Sequence, residues 1–206
     1  MSASRVTASS IAQGLPKSRS LLAGNYAYGG GATWLIERIN VGSGGAASVT
    51  FSSIPQTFKH LQLRLSAQTN RGTYAGDSCL MTVNSDTGTN YPQHSLQGDG
   101  STATATGTTT SYSAMNMRNT MGSSAGPGFA AAVADFLDYT NTSKYKTLRY
   151  LGGSDNNGTV SGYGGYVVFG SSVWLSTVAI TSLVLKPESG TLWNQYSTFA
   201  LYGVVG

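Results

Sequence analysis

Between His60 and Thr69 the chain alternates, with Leu61, Leu63, Leu65 and Ala67 set against Gln62, Arg64, Ser66 and Gln68. A period of two places one set on each side of an extended strand, so one face is buried and the other wet. Shorter runs of the same kind recur at 48–54, 79–84, 129–139, 144–151, 166–175, 178–185 and 198–205, giving about eight to ten strands. Turn residues separate them: glycine-rich 42–45, the Asn-Ser-Asp-Thr-Gly of 84–88, the Ser-Asp-Asn-Asn-Gly of 154–158, and Glu188-Ser-Gly. Gly, Asn and Asp supply the left-handed positions that tight reversals need. The pattern predicts an all-β protein over 32–206, a sandwich or a barrel. No internal repeat is found, which disfavours a propeller or β-helix.

Two stretches break the pattern. Residues 1–31 are rich in Ser, Ala and Gly, with three cations, no acid and no apolar periodicity. Such a segment cannot bury enough of itself to offset its ordering entropy and reads as an extended N-terminal arm. Extended, it reaches on the order of 100 Å, enough to cross a neighbouring subunit. Its partner-binding candidates are Arg5, Leu15, Lys17, Arg19, Leu21, Leu22, Tyr26 and Tyr28, cations and apolar groups suited to docking. Residues 98–128 carry a run of Thr with few side chains to anchor a core, and read as a long loop or ribbon projecting from the domain.

Composition sharpens this picture. Only 10% of the 206 residues are charged, while Gly, Ser and Thr number 27, 28 and 24. Glu occurs only at Glu37 and Glu188, and Lys at five positions, so the residues that build solvated helix faces are nearly missing. A helical bundle is excluded. With 40% hydrophobic residues the chain should nevertheless fold. The net charge of +4 is spread over scattered cations, with no basic run of the kind that binds nucleic acid. A single cysteine, Cys79, rules out an internal disulfide and a Cys-based zinc site. No secretory signal is read at the N-terminus, and no run approaches the ~18 apolar residues of a membrane span.

Chemistry is sparse. Residues 122–126 match G-x-S-x-G, but that elbow needs a strand before it and a helix after it, and neither is readable. His60 and His94 are expected to be hydrogen-bonded structural groups. Asp86, Asp99 and Asp155 lie in turns where they cap backbone groups, and Asp155 with Asn156 and Asn157 lacks the acidic ligands of a calcium loop. Asp135 and Asp138 are placed to pair with Lys144, Lys146 or Arg149 across a hairpin. No phosphate loop, dinucleotide fingerprint or metal motif occurs, so neither an enzyme nor a cofactor is expected. Trp34, Tyr163, Tyr166, Trp174, Trp193, Tyr196 and Tyr202 could stack on sugars, though core or interface positions are the commoner use of such rings.

Several blocks together carry a family likeness: 50–64; 88–91 with His94, Leu96 and 98–101; 138–147; and 190–193 with 195–203, closing on Phe-Ala-Leu-Tyr-Gly-Val. From Trp34 to the C-terminus the chain resembles a family of tailed-bacteriophage virion structural proteins. The resemblance implies a jelly-roll-like antiparallel β-sandwich with an extended N-terminal arm and no catalytic residues, found in the virion after assembly in the cytoplasm of a bacterial host. It points to a capsid cement or decoration protein, a homotrimer bound between major capsid protein subunits or to other virion proteins, with no nucleic acid or membrane partner. A tail fibre or receptor-binding module and a carbohydrate-binding module are the alternatives, the last resting on Trp174 and Trp193.

Overall fold

The computed structural model describes residues 32–107, 112–123, 126–160 and 163–206. The chain divides into two units, 1–34 and 35–206. The expected arm and its eight candidate residues lie outside the described residues.

Twelve strands are found among the described residues, and no helix: β1 Thr33–Asn40, β2 Val49–Phe51, β3 His60–Thr69, β4 Gly76–Val83, β5 Gln93–Gly98, β6 Ala103–Gly107, β7 Met115–Gly122, β8 Ala130–Leu137, β9 Lys146–Val160, β10 Tyr163–Trp174, β11 Leu183–Pro187 and β12 Thr198–Val204. They form two packed sheets. The smaller has the order β2-β11-β4-β7; the larger runs β12-β3-β8-β9-β10-β5-β6, with β1 beside β12. A short parallel contact of Gln68 and Thr69 with Met121 and Gly122 joins them at one corner.

The connectivity is that of a jelly roll. From β2 onward the chain passes between sheets so that β2, β4, β7 and β11 fall in one and β3, β5, β6 and β8 in the other. This interleaving is what two nested Greek keys produce. The departure is the long antiparallel hairpin β9–β10, inserted between β8 and β5, which widens the larger sheet.

The inward faces build one core. Leu61, Leu63, Phe136, Leu148, Phe199 and Leu201 of the larger sheet meet Phe51, Met81, Val83, Met117, Leu183 and Leu185 of the smaller. Each such side chain contributes about 1.5–3 kcal/mol of transfer free energy. Gly170 is fixed by close approach, since a Cβ there would lie 2.1 Å from the ring of Tyr150, its cross-strand partner. Of the expected left-handed turn positions, Gly45 has φ 70° and Asn84 has φ 51°.

Three sequence-based expectations are corrected. The segment 98–128 is not a projecting loop throughout: β6 pairs with β5, and β7 pairs with β4, burying Met115 and Met117. The stretch 178–182 is not strand, and β11 begins only at Leu183. Its backbone is claimed by loops instead, with Ile180 N donating to Tyr139 O and the amides of Thr181 and Ser182 to Asn84 Oδ1. The Ser-Asp-Asn-Asn-Gly of 154–158 is not a turn but lies within β9.

Candidate functional surface

The outward face of the larger sheet is the least ordinary surface of the domain. The usual arrangement for an antiparallel sheet with one free face is polar outside. Here Val133 of β8 stands opposite Leu151 of β9, Leu151 opposite Phe169 of β10, Phe169 opposite Leu96 of β5, and Leu96 opposite Ala105 of β6. Cross-strand partners share a face, so these side chains form one continuous apolar row. Leu96, Leu151 and Phe169 are 54%, 51% and 50% exposed. Two residues along each strand lies a second row: Ala131, Gly153, Val167 and Gly98, ending at Ala103. Val167 is 63% exposed. The small second row leaves a groove of about 700 Å³ between Arg64, Ala131, Val133, Leu151, Gly153 and Val167.

Polar groups bound the patch. On the side beyond Leu151, Gln62 Nε2 donates to Asp135 Oδ1 at 2.8 Å and Arg149 Nη2 to Asp135 Oδ2 at 3.5 Å. Arg64 Nε donates to Gln62 Oε1, and its guanidinium lies 4.5 Å from the centre of the Tyr202 ring. On the opposite side, Asp155 and Asp99 line an adjoining hollow with Gly100, Phe129 and Gly165. Contiguous apolar patches of this kind mark surfaces that contact another molecule.

The groups with chemical potential are held in structural roles. Asp77, buried, accepts from Thr69 Oγ1 and from the amides of Ser78, Ser189 and Gly190. Asp86 accepts from the Trp174 indole at 2.7 Å, from Asn90 Nδ2 and from the Gly88 amide, and these bonds hold its carboxyl below the usual range. Lys146, expected as a hairpin ion-pair partner, is instead fully buried and donates to the carbonyls of Asn141, Lys144 and Thr177. Burial pushes the Cys79 thiol well up, with the charge of Asp77 adding to it, which leaves an unreactive group. Among the described residues no three His, Cys, Asp or Glu side chains gather to hold a metal ion.

Other candidates resolve one by one. His60 Nδ1 accepts from the Asp138 amide at 2.9 Å, and His94 lies exposed over Gly107. Serine 124 of the G-x-S-x-G match lies outside the described residues, and the next element is strand β8, not a helix. Trp174 and Trp193 are buried and offer no face to a sugar, whereas Tyr196 is 74% exposed. The expected ion pairs form in part: Asp135 with Arg149, and Asp138 with Lys144 and also Lys59, the latter at 3.0 Å.

That last cluster gives a pH dependence. Lys144 and then Lys59, bonded to the Asp138 carboxylate, lower its pKa to about 2. A carboxylate depressed in the folded state stabilises above its unfolded pKa and loses that contribution as pH falls through the folded one. Thermal stability should therefore drop between about pH 4 and pH 2. Asp138→Asn should flatten part of that slope in a series of melting curves, leaving the share owed to Asp86 and Asp99, which are also depressed. A variant with an unchanged acid slope would remove this cluster as a cause.

The outer sheet face, missed by a strand-by-strand reading, was signalled only by Leu96, Leu151, Val167 and Phe169 falling at positions of outward parity. No family model, curated protein or solved structure matches the chain, so the purpose of this surface follows from its own chemistry.

Proposed function

We propose that the chain is a bacteriophage virion structural protein, a capsid cement or decoration protein that works by covering other folded proteins. The observation that carries this reading is the open apolar face of the larger sheet, beside polar groups that are occupied in holding the fold. A surface of stacked aliphatic and aromatic side chains contributes binding energy on burial and offers no reacting group. The blocks in which the chain resembles phage virion proteins support the virion assignment. They fall on parts of β2, β3, β5 and β12 and on the hairpin loop after β8, so the likeness lies in elements that shape the sandwich.

The arm is the second contact. Arg5, Lys17 and Arg19, with no acid among 1–31, suit an acidic capsid lattice, and Leu15, Leu21, Leu22, Tyr26 and Tyr28 suit the shallow apolar sites between its subunits. Purified full-length protein is expected to rebind phage particles stripped of it, and the chain lacking 1–31 to lose that association while still unfolding cooperatively. Full occupancy by the shortened chain would remove the arm from the reading. Failure of the intact protein to bind, or its absence from assembled particles, would remove the virion role.

A further inference from the structure

Resting on the interaction-protein reading above, we infer that the apolar face of the larger sheet is an isologous interface, covered by the same face of a second copy of this chain. The two rows described above are complementary to each other. In each strand the larger residue is followed or preceded, two positions away, by a smaller one: Leu151 with Gly153, Leu96 with Gly98, Val133 with Ala131, Phe169 with Val167. A two-fold axis lying in the interface, across the strands and between the rows, sets row one of each copy against row two of the other. Leu151 then stands over the partner's Gly153 and Leu96 over the partner's Gly98. The same contacts occur again with the copies exchanged, as a two-fold interface requires. Large side chains enter the hollows that the glycines leave, on both sides at once, and the strands of the two sheets run aligned, the common way for sheets to stack.

Charge follows the same operation. Along β9 the outward positions are Arg149, Leu151, Gly153 and Asp155, symmetric in spacing about Gly152. Exchange of the two apolar rows carries Arg149 over the partner's Asp155, and the partner's Arg149 over Asp155. Opposite charges therefore meet just beyond the apolar rows on both sides of the patch, where a copy shifted by one row would lose both contacts.

The area suffices. Six strands, β3 to β6 in sheet order, at about 4.8 Å apart, and four outward rows at about 6.8 Å, span on the order of 800 Å². One partner buries about that much in a specific interface of standard size. The unit of assembly is a pair, where the resemblance anticipates three copies.

Sedimentation of the full-length protein from ~1 µM to ~100 µM tests this. The wild type is expected to pass from monomer to dimer over that range. Phe169→Glu should weaken association ~30-fold or more while leaving the circular dichroism spectrum unchanged, because the side chain is on the outer face. The decisive variants are Arg149→Asp and Asp155→Arg. Each alone should weaken the dimer ~10-fold, and the double exchange should restore it. Rescue can arise only between chains, since the two positions lie six residues apart on one strand, about 20 Å. A wild type that stays monomeric at ~100 µM, a dimer indifferent to Phe169→Glu, or a double exchange without rescue overturns the inference. Particle binding by a purely monomeric protein would leave the virion reading intact and sink this one. A dimer with no affinity for particles would do the reverse.

Discussion

Replacing Asp77 by alanine is expected to lower stability by about 3–5 kcal/mol, because one buried carboxylate holds three parts of the fold together. Its Oδ2 accepts from Thr69 Oγ1 at 2.7 Å and from the Gly190 amide at 2.9 Å; its Oδ1 accepts from the amides of Ser78 at 2.8 Å and Ser189 at 3.0 Å. Thr69 ends β3, Ser78 belongs to β4, and Ser189 and Gly190 follow β11, so β3 of the larger sheet is tied through this group to β4 and β11 of the smaller. Asp77 also sits where the β4–β7 ladder shifts register, and its side chain satisfies the Ser78 amide beside that shift. Alanine would strand three backbone donors and a hydroxyl. Asparagine keeps one carbonyl oxygen but turns an NH2 toward amides that also donate, so it should cost roughly half as much. Urea unfolding should show a lower midpoint with an unchanged slope. A loss under about 1 kcal/mol would mean that water replaces the carboxylate at little cost.

Trp193→Ala should cost about 3–5 kcal/mol through the cavity that it opens. The indole is fully buried, meets Phe199 edge to face at 5.0 Å, and donates from Nε1 to Leu185 O at 3.3 Å. Its backbone bridges both Ala46 and Thr69. The ring thus touches β11 of the smaller sheet and β12 of the larger, at the seam between them. Trp193→Phe should recover about half of the loss by refilling most of the volume, and calorimetry of the three proteins would order them. Because the ring is enclosed, the effect should appear in the melting temperature. A variant of unchanged stability with altered surface binding would contradict the buried position.

Some of this was legible residue by residue. The alternation of β3 predicted its bounds and its buried face, Leu61 to Ala67. The Asn84 turn and the Asp138–Lys144 pair followed from local chemistry, since both lie within one hairpin or turn. The strand β7 was missed because its signal, Met-Asn-Met-Arg at 115–118, is four residues long and follows a Thr-rich run that reads as surface. In the structure its partner β4 supplies the other half of the burial. At 154–158 only Ser154 and Asp155 pair with β10; residues 156–158 fall at the register shift between Tyr163 and Gly165, where Gly165 has φ 130°.

Composition and alternation alone determined an all-β sandwich with little charge and no recognisable chemistry, because burial periodicity and turn preference are properties of a few neighbouring residues. Which apolar residues share the open face was decided by the tertiary structure. Strands β8, β9 and β10 carry apolar groups on both sides, and β5 turns its one large apolar residue, Leu96, outward, so no single strand tells which set is inside. Val133, Leu151, Phe169 and Leu96 become one row only through the register of four strands, among which β5 lies far from β10 in the chain. That register is set by long-range pairing and core packing, which no local pattern encodes.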